Sequence, residues 1–170
     1  MRLRIDLAYD GTDFSGWAKQ PDLPTVQGSL DDALATILRL DEVHTVVAGR
    51  TDAGVHAMGQ VVHVDVPDDA DPSTLAMRLN SYLAQSAISI HSVREADPGF
   101  DARFSPIYRR YEYRITDTAS IRDPRTRHYT LWMDEALDVE KMNTAAQSRL
   151  GLHDWTTYCK PREGATRVGE

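Results

Sequence analysis

Val43-His44-Thr45-Val46-Val47-Ala48 and Gln60-Val61-Val62-His63-Val64-Asp65-Val66 are two β-branched runs, and between them lies the glycine-bearing stretch Gly49 to Gly59. Runs of this composition read as strands, because branched side chains pack well on a pleated surface. The connection exceeds the roughly two to five residues that a plain hairpin needs, so something other than chain reversal has shaped it, and function is the usual reason. Upstream, Pro24-Thr25 opens a run in which Val26, Leu30, Ala33, Leu34, Ile37 and Leu38 fall at helical spacing, with Thr25 as N-cap. Before that, Leu3, Ile5, Leu7 and Tyr9 alternate with Arg2, Arg4 and Asp6, the period of a half-buried strand. Asp10-Gly11-Thr12-Asp13 supplies turn residues after it. Downstream, Asp71-Pro72 gives an N-cap followed by proline at the first helical position, with Leu75, Leu79, Tyr82 and Leu83 on one face, and Ile88 to Val93 forms a further strand.

The order is therefore β-α-β-β-α-β over residues 1–98. It predicts an α+β fold of ferredoxin-like, RRM-like type, an antiparallel sheet with two helices on one face and the other face free to meet a ligand. Single-strand RNA readers use that arrangement, but their K/R-G-F/Y-G/A-F motif is absent, and fold by itself is a poor warrant for function. Residues 99–135 read as connecting strands rich in arginine: Tyr111, Tyr113 and Ile115 alternate against Arg110, Glu112 and Arg114, and His128 to Trp132 forms a second short strand. Asp138 begins a third helix with Val139, Met142, Ala146 and Leu150 inward, and Gly151 is placed to end it.

Composition narrows the classes. A hydrophobic share of 41% suffices for an ordinary core, while no apolar stretch approaches the roughly 20 residues that span a bilayer. The first residues lack the apolar centre and cleavage site of a signal peptide, and the single Cys159 has no partner for an internal disulfide, so a cytoplasmic setting is expected. The net charge of −7 opposes a nucleic-acid partner at first sight. Its distribution softens the objection, because Arg94 to Arg127 holds eight arginines against six acids, and the acidity gathers elsewhere, as in Asp65 to Asp71.

The chemistry concentrates in Gly49-Arg50-Thr51-Asp52-Ala53-Gly54-Val55-His56-Ala57. Gly49 and Gly54 permit unusual backbone angles and close approach, while Arg50 and Asp52, two apart, could pair and keep the carboxylate ionised. Two bland readings stand beside this one. The first is an ordinary ion pair bracing a loop. The second is a divalent metal on His56, His63, Asp52 and Asp65, whose spacing matches no strong metal motif, and His63 between Val62 and Val64 reads as solvent-facing.

This nine-residue stretch resembles the catalytic motif of the TruA family of tRNA pseudouridine synthases at every position. Further similarity runs in the family's order through Tyr9-Asp10-Gly11-Thr12, Gly16-Trp17, Thr25-Val26-Gln27, Asn80-Ser81, Phe100-Asp101-Ala102-Arg103-Phe104, Arg109-Arg110-Tyr111-Glu112-Tyr113 and Gly151-Leu152-His153-Asp154-Trp155. Ala18 stands where many members have Gln, and Asp101 where His is frequent. The resemblance implies isomerisation of uridine in the anticodon stem-loop of tRNA, with Asp52 the catalytic aspartate, Arg50 its supporting partner and Tyr111 the aromatic that stacks on the flipped uracil. Attack at ribose C1′, attack at uracil C6 and a glycal-like route all stay open. It further implies no metal or small-molecule cofactor, no membrane, a homodimer, and RNA contacts from Arg103, Arg109, Arg110, Arg125 and His56. Residues 136–170 would then begin a second RRM-like half and leave it incomplete, which keeps a non-catalytic RNA-binding module as the alternative.

Overall fold

A computed structural model describes residues 1–151 and 153. The chain divides into two compact units, one from Met1 to Tyr113 and one beginning at Arg114.

In the first unit, β1 (Arg2–Tyr9) realises the predicted alternation: Leu3, Ile5, Leu7 and Tyr9 are buried and the residues between them are not. It pairs antiparallel with β3 (Ala57–Asp65) on one side and β4 (Ile88–Glu95) on the other, and β2 (Val46–Val47) pairs with β3 at the edge. The order β2-β3-β1-β4 separates β1 from β2 by one strand, the split βαβ arrangement. Helix α1 (Val26–Leu38) starts where Thr25 Oγ1 accepts the Gly28 N–H at 3.2 Å, and α2 (Pro72–Tyr82) where Asp71 accepts the Ser73 N–H at 2.9 Å. Register sets Leu3 opposite Val64 and Ile5 opposite Val62. These pack with Leu30 and Leu34 of α1 and Leu75 and Leu79 of α2 in one fully buried cluster, each such side chain contributing about 1.5–3 kcal/mol.

Two strand boundaries differ from the sequence reading. Val43 to Ala48 contributes only two ladder residues, because side chains of α1 take the polar groups of Thr45: Asp31 accepts its N–H at 3.1 Å and its hydroxyl at 2.7 Å, and Gln27 donates to its carbonyl at 2.9 Å. β3 starts at Ala57 rather than Gln60, paired with Tyr9, so the connection runs from Ala48 to His56 instead of from Gly49 to Gly59.

The face of the sheet away from the helices is charged and is covered in part. Arg2 forms a two-toothed pair with Asp65, and Asp6 accepts from Arg4, Ser92 and Arg94. The chain from Gly99 to Ser105 then lies over the part that carries Arg2, Arg4 and His63. Phe100 lies edge-on to the His63 ring and beneath the Arg4 guanidinium, and the Ala102 N–H donates to His63 Nδ1 at 2.9 Å. His63 does point away from the helices, as its place in the alternation requires, but this covering segment buries it, which corrects the solvent-facing expectation. Burial, with the Arg2 charge adding, holds its pKa below the ordinary imidazole value.

Tyr111 and Tyr113 do not form the predicted strand and are largely exposed. In the second unit β5 (Ile115–Thr116) pairs parallel with β6 (Leu131–Trp132), and a 3-10 turn (Pro124–Thr126) lies between them. Helix α3 (Val139–Gln147) is capped by Asp138, which accepts the Lys141 N–H at 2.9 Å. Val139, Met142 and Leu150, expected inward, are exposed, and α3 contains no buried residue. Cys159 and the segment Trp155 to Glu170 lie outside the described residues, as do Leu152 and Asp154 of the last family-like motif.

Candidate active site

The loop from Ala48 to His56 is held by its peptide groups. The turn after β1 lies against it: the Trp17 N–H donates to the Thr51 carbonyl at 3.0 Å, and the Gly54 N–H donates to the Phe14 carbonyl at 3.2 Å. A methyl group at position 11 would sit 2.1 Å from the Val55 carbonyl oxygen, so only glycine lets the two backbones meet there. Gly16 combines a similar closeness, 3.0 Å to the Thr51 carbonyl oxygen, with a φ of 96°. Of the two loop glycines, Gly54 does take a left-handed φ of 76°, whereas Gly49 does not and is instead a place of close approach.

Beneath the loop runs a buried polar relay that the sequence reading missed. The Gln60 side-chain amide donates to the Gly49 carbonyl at 2.8 Å and to the Tyr9 hydroxyl oxygen at 3.2 Å. The same Tyr9 hydroxyl shares a hydrogen bond with Thr51 Oγ1, 2.8 Å away. Residues 49 and 51, on either side of Arg50, are thereby tied to the end of the sheet. Burial pushes the Tyr9 phenol upward, opposed by the hydrogen bonds from Thr51 and Gln60, and the nearby Tyr111 oxygen adds to the rise. One signal was present in the sequence: Gln60 occupies an inward position in register with Val62 and Val64, and an amide there requires partners.

With the backbone so engaged, Arg50 and Asp52 are left exposed on the loop. Tyr111, which is 74% exposed, is brought to the same loop: its hydroxyl lies 3.9 Å from where a Cβ on Gly49 would stand. Arg109 approaches closer still, donating from Nη2 to the Ala48 carbonyl at 2.6 Å. His56 Nδ1 accepts the Gly11 N–H at 3.1 Å and lies 3.0 Å from Asp10 Oδ1, so this ring faces the turn that supports the loop.

The other arginines are engaged locally. Arg103 stacks on Phe104, Arg110 lies 3.4 Å from Glu112, and Arg125 of the second unit grips Asp123. The metal reading loses its ligand set, since His63 is bound to Ala102 and Asp65 to Arg2. Among the described residues no three of His, Cys, Asp and Glu gather as a metal site would require, and no helix is long and apolar enough to cross a membrane.

Residues 7–105 match the family model described as tRNA pseudouridine synthase. Among curated proteins, the chain is 49% identical to tRNA pseudouridine synthase A of Leifsonia xyli subsp. xyli, over 98% of this chain and 64% of that protein. It is 53% identical to the protein of that name from Frankia casuarinae, over 99% and 61%, and 51% identical to that from Corynebacterium glutamicum, over 100% and 62%. The chain spans about 60% of the length of the curated relatives it matches.

Proposed function

The chain belongs to the tRNA pseudouridine synthase family, and on that footing we propose that it isomerises uridine to pseudouridine in the anticodon stem-loop of tRNA. The observation that carries the reading is the division of labour in the Ala48–His56 loop: its peptide groups are bound by the protein, while Arg50 and Asp52 stay exposed on a loop that Tyr111 approaches at Gly49.

In this reading a uridine leaves the stem and stacks on Tyr111, which recovers part of the unstacking cost. Asp52 acts as the ionised nucleophile, with Arg50 orienting it and filling the space of the extruded base. The N1–C1′ bond breaks, the base turns, a C5–C1′ bond forms, and the bond that Asp52 made to the substrate breaks to return the free carboxylate. The C5 hydrogen leaves as a proton and N1 gains one, so the sum needs no oxidant, reductant or group donor. A backbone-anchored loop suits this task, because a nucleophile gains most from being held in place before the substrate arrives. Self-association belongs to the same proposal: Val139 and Met142 of α3, with Leu150 just beyond it, are exposed apolar side chains, the kind of surface a second copy can cover.

Release of tritium from tRNA labelled at uracil C5 tests the reaction, since only isomerisation expels that hydrogen. The wild-type chain should release tritium, and Asp52→Asn should release none while binding tRNA within a few-fold of wild type. Near-normal release by Asp52→Asn would remove Asp52 from the chemistry. Binding without release by the wild-type chain would instead support the non-catalytic RNA-binding module.

A further inference from the structure

From the contacts around Gly49 we infer that Arg109 is a positioning residue, docking the segment that carries Tyr111 onto the Ala48–His56 loop, and is not a phosphate contact. This inference rests on the proposed stacking role of Tyr111.

Three observations converge. The Arg109 guanidinium donates from Nη2 to the Ala48 carbonyl at 2.6 Å, so its charge is directed at the protein's own backbone. Its Nε would lie 3.2 Å, and its Cδ 3.5 Å, from a Cβ on Gly49, so the arginine occupies the space that a side chain at this loop position would need. The Tyr111 hydroxyl reaches the same spot, at 3.9 Å. The two side chains therefore meet the loop side by side, two residues apart on a stretch that lies in neither helix nor strand. Tyr111 lies in neither helix nor strand and is mostly exposed, so regular structure does not hold it in place. Arg109 supplies an anchor. From below, Gln60 holds the Gly49 carbonyl at 2.8 Å, which makes the peptides on either side of Gly49 a fixed surface for that anchor.

The two roles of Arg109 separate by charge and by geometry. A phosphate contact is a point charge that lysine restores, and losing it lowers the salt dependence of RNA binding by about 0.7 to 0.9 in the log–log slope. A docking arginine depends on its planar fork, which lysine does not reproduce. The test uses the 170-residue chain labelled with 3-fluorotyrosine, with Tyr111→Phe to assign the Tyr111 signal. Wild type, Arg109→Gln and Arg109→Lys are compared by fluorine NMR, by salt titration of binding to an anticodon stem-loop RNA, and by tritium release.

Docking predicts that both substitutions move the Tyr111 resonance toward that of free fluorotyrosine. It also predicts that Arg109→Gln leaves the salt slope unchanged, and that kcat falls by up to about 10²-fold while KM stays within about twofold, as for a misplaced reacting group. An unmoved Tyr111 resonance, or a slope that drops with Gln and returns with Lys, overturns it. If the wild-type chain releases no tritium, the proposed reaction fails for this chain, while the fluorine spectrum still decides what Arg109 does.

Discussion

Replacing Gln60 by Met tests whether the relay beneath the loop contributes to the fold. Methionine has similar length and keeps the apolar contacts of this buried position, but it cannot donate. The Gly49 carbonyl loses its 2.8 Å donor, and the Tyr9 hydroxyl loses the 3.2 Å contact while keeping Thr51. An ordinary hydrogen bond contributes about 0.5–1.5 kcal/mol net, and a buried group left without a partner costs about 1–3 kcal/mol. Gly49 is only partly buried and water can recover some of that cost, so about 2 kcal/mol is the expected loss for the pair of bonds. Unfolding entropy is about 2.1 cal/mol/K per residue, or about 0.24 kcal/mol/K for the unit Met1–Tyr113, so Tm should fall by about 8 °C. Thermal melts followed by circular dichroism measure this. Tyr9→Phe in the Gln60→Met background should cost less than Tyr9→Phe alone, because contacting partners are not additive. A Tm within about 2 °C of wild type, with the two changes adding independently, would refute the claim that the relay is a coupled buried network.

Gly11→Ala should displace the Ala48–His56 loop, since the added methyl meets the Val55 carbonyl oxygen at 2.1 Å; the expected result is loss of tritium release with a Tm lowered by several degrees, and unchanged release would mean the two backbones separate easily. Stability should depend on pH through His63, whose folded pKa is depressed by burial and by Arg2. The unfolded chain takes up the proton near the ordinary value of 6.5 while the folded chain resists until lower pH, so this contribution is complete above that value and is lost as pH falls below it, at up to about 1.4 kcal/mol per pH unit. Urea midpoints between pH 5 and 7 should show the slope in wild type and its reduction in His63→Gln, whose amide oxygen can still accept from Ala102; equal slopes would exonerate His63.

The parts of the fold that were legible in the sequence are those governed by a local period. Leu3, Ile5, Leu7 and Tyr9 declared β1, and Asp71-Pro72 declared the start of α2, because alternation and capping are written within a few residues. The short extent of β2 was hidden, since it depends on Asp31 and Gln27, two helical residues that replace strand partners across space. His63 misled for a related reason: alternation tells which face a side chain takes, but not that residues 99–105 will later cover that face. At the site, the resemblance singled out Arg50, Asp52 and Tyr111, and the structure sets Tyr111 beside the loop. Tyr9, Gln60 and Arg109 were not legible as its supports, because each acts on a carbonyl or hydroxyl whose owner lies far away in the chain.

The turn from Gly11 to Trp17 touches the Ala48–His56 loop almost wholly through main-chain atoms, at the Thr51 and Val55 carbonyls and the Gly54 amide. A scaffold that grips a loop in this way is indifferent to most of the side chains the loop displays. Laboratory evolution should therefore meet two regimes within a few residues of each other. Positions 11 and 16 will reject nearly every replacement, whereas exposed positions such as Ala53 and Val55 can be randomised with the loop's path intact. For anyone wishing to alter what this loop presents, the productive library diversifies the side chains it shows and leaves untouched the glycines that hold it.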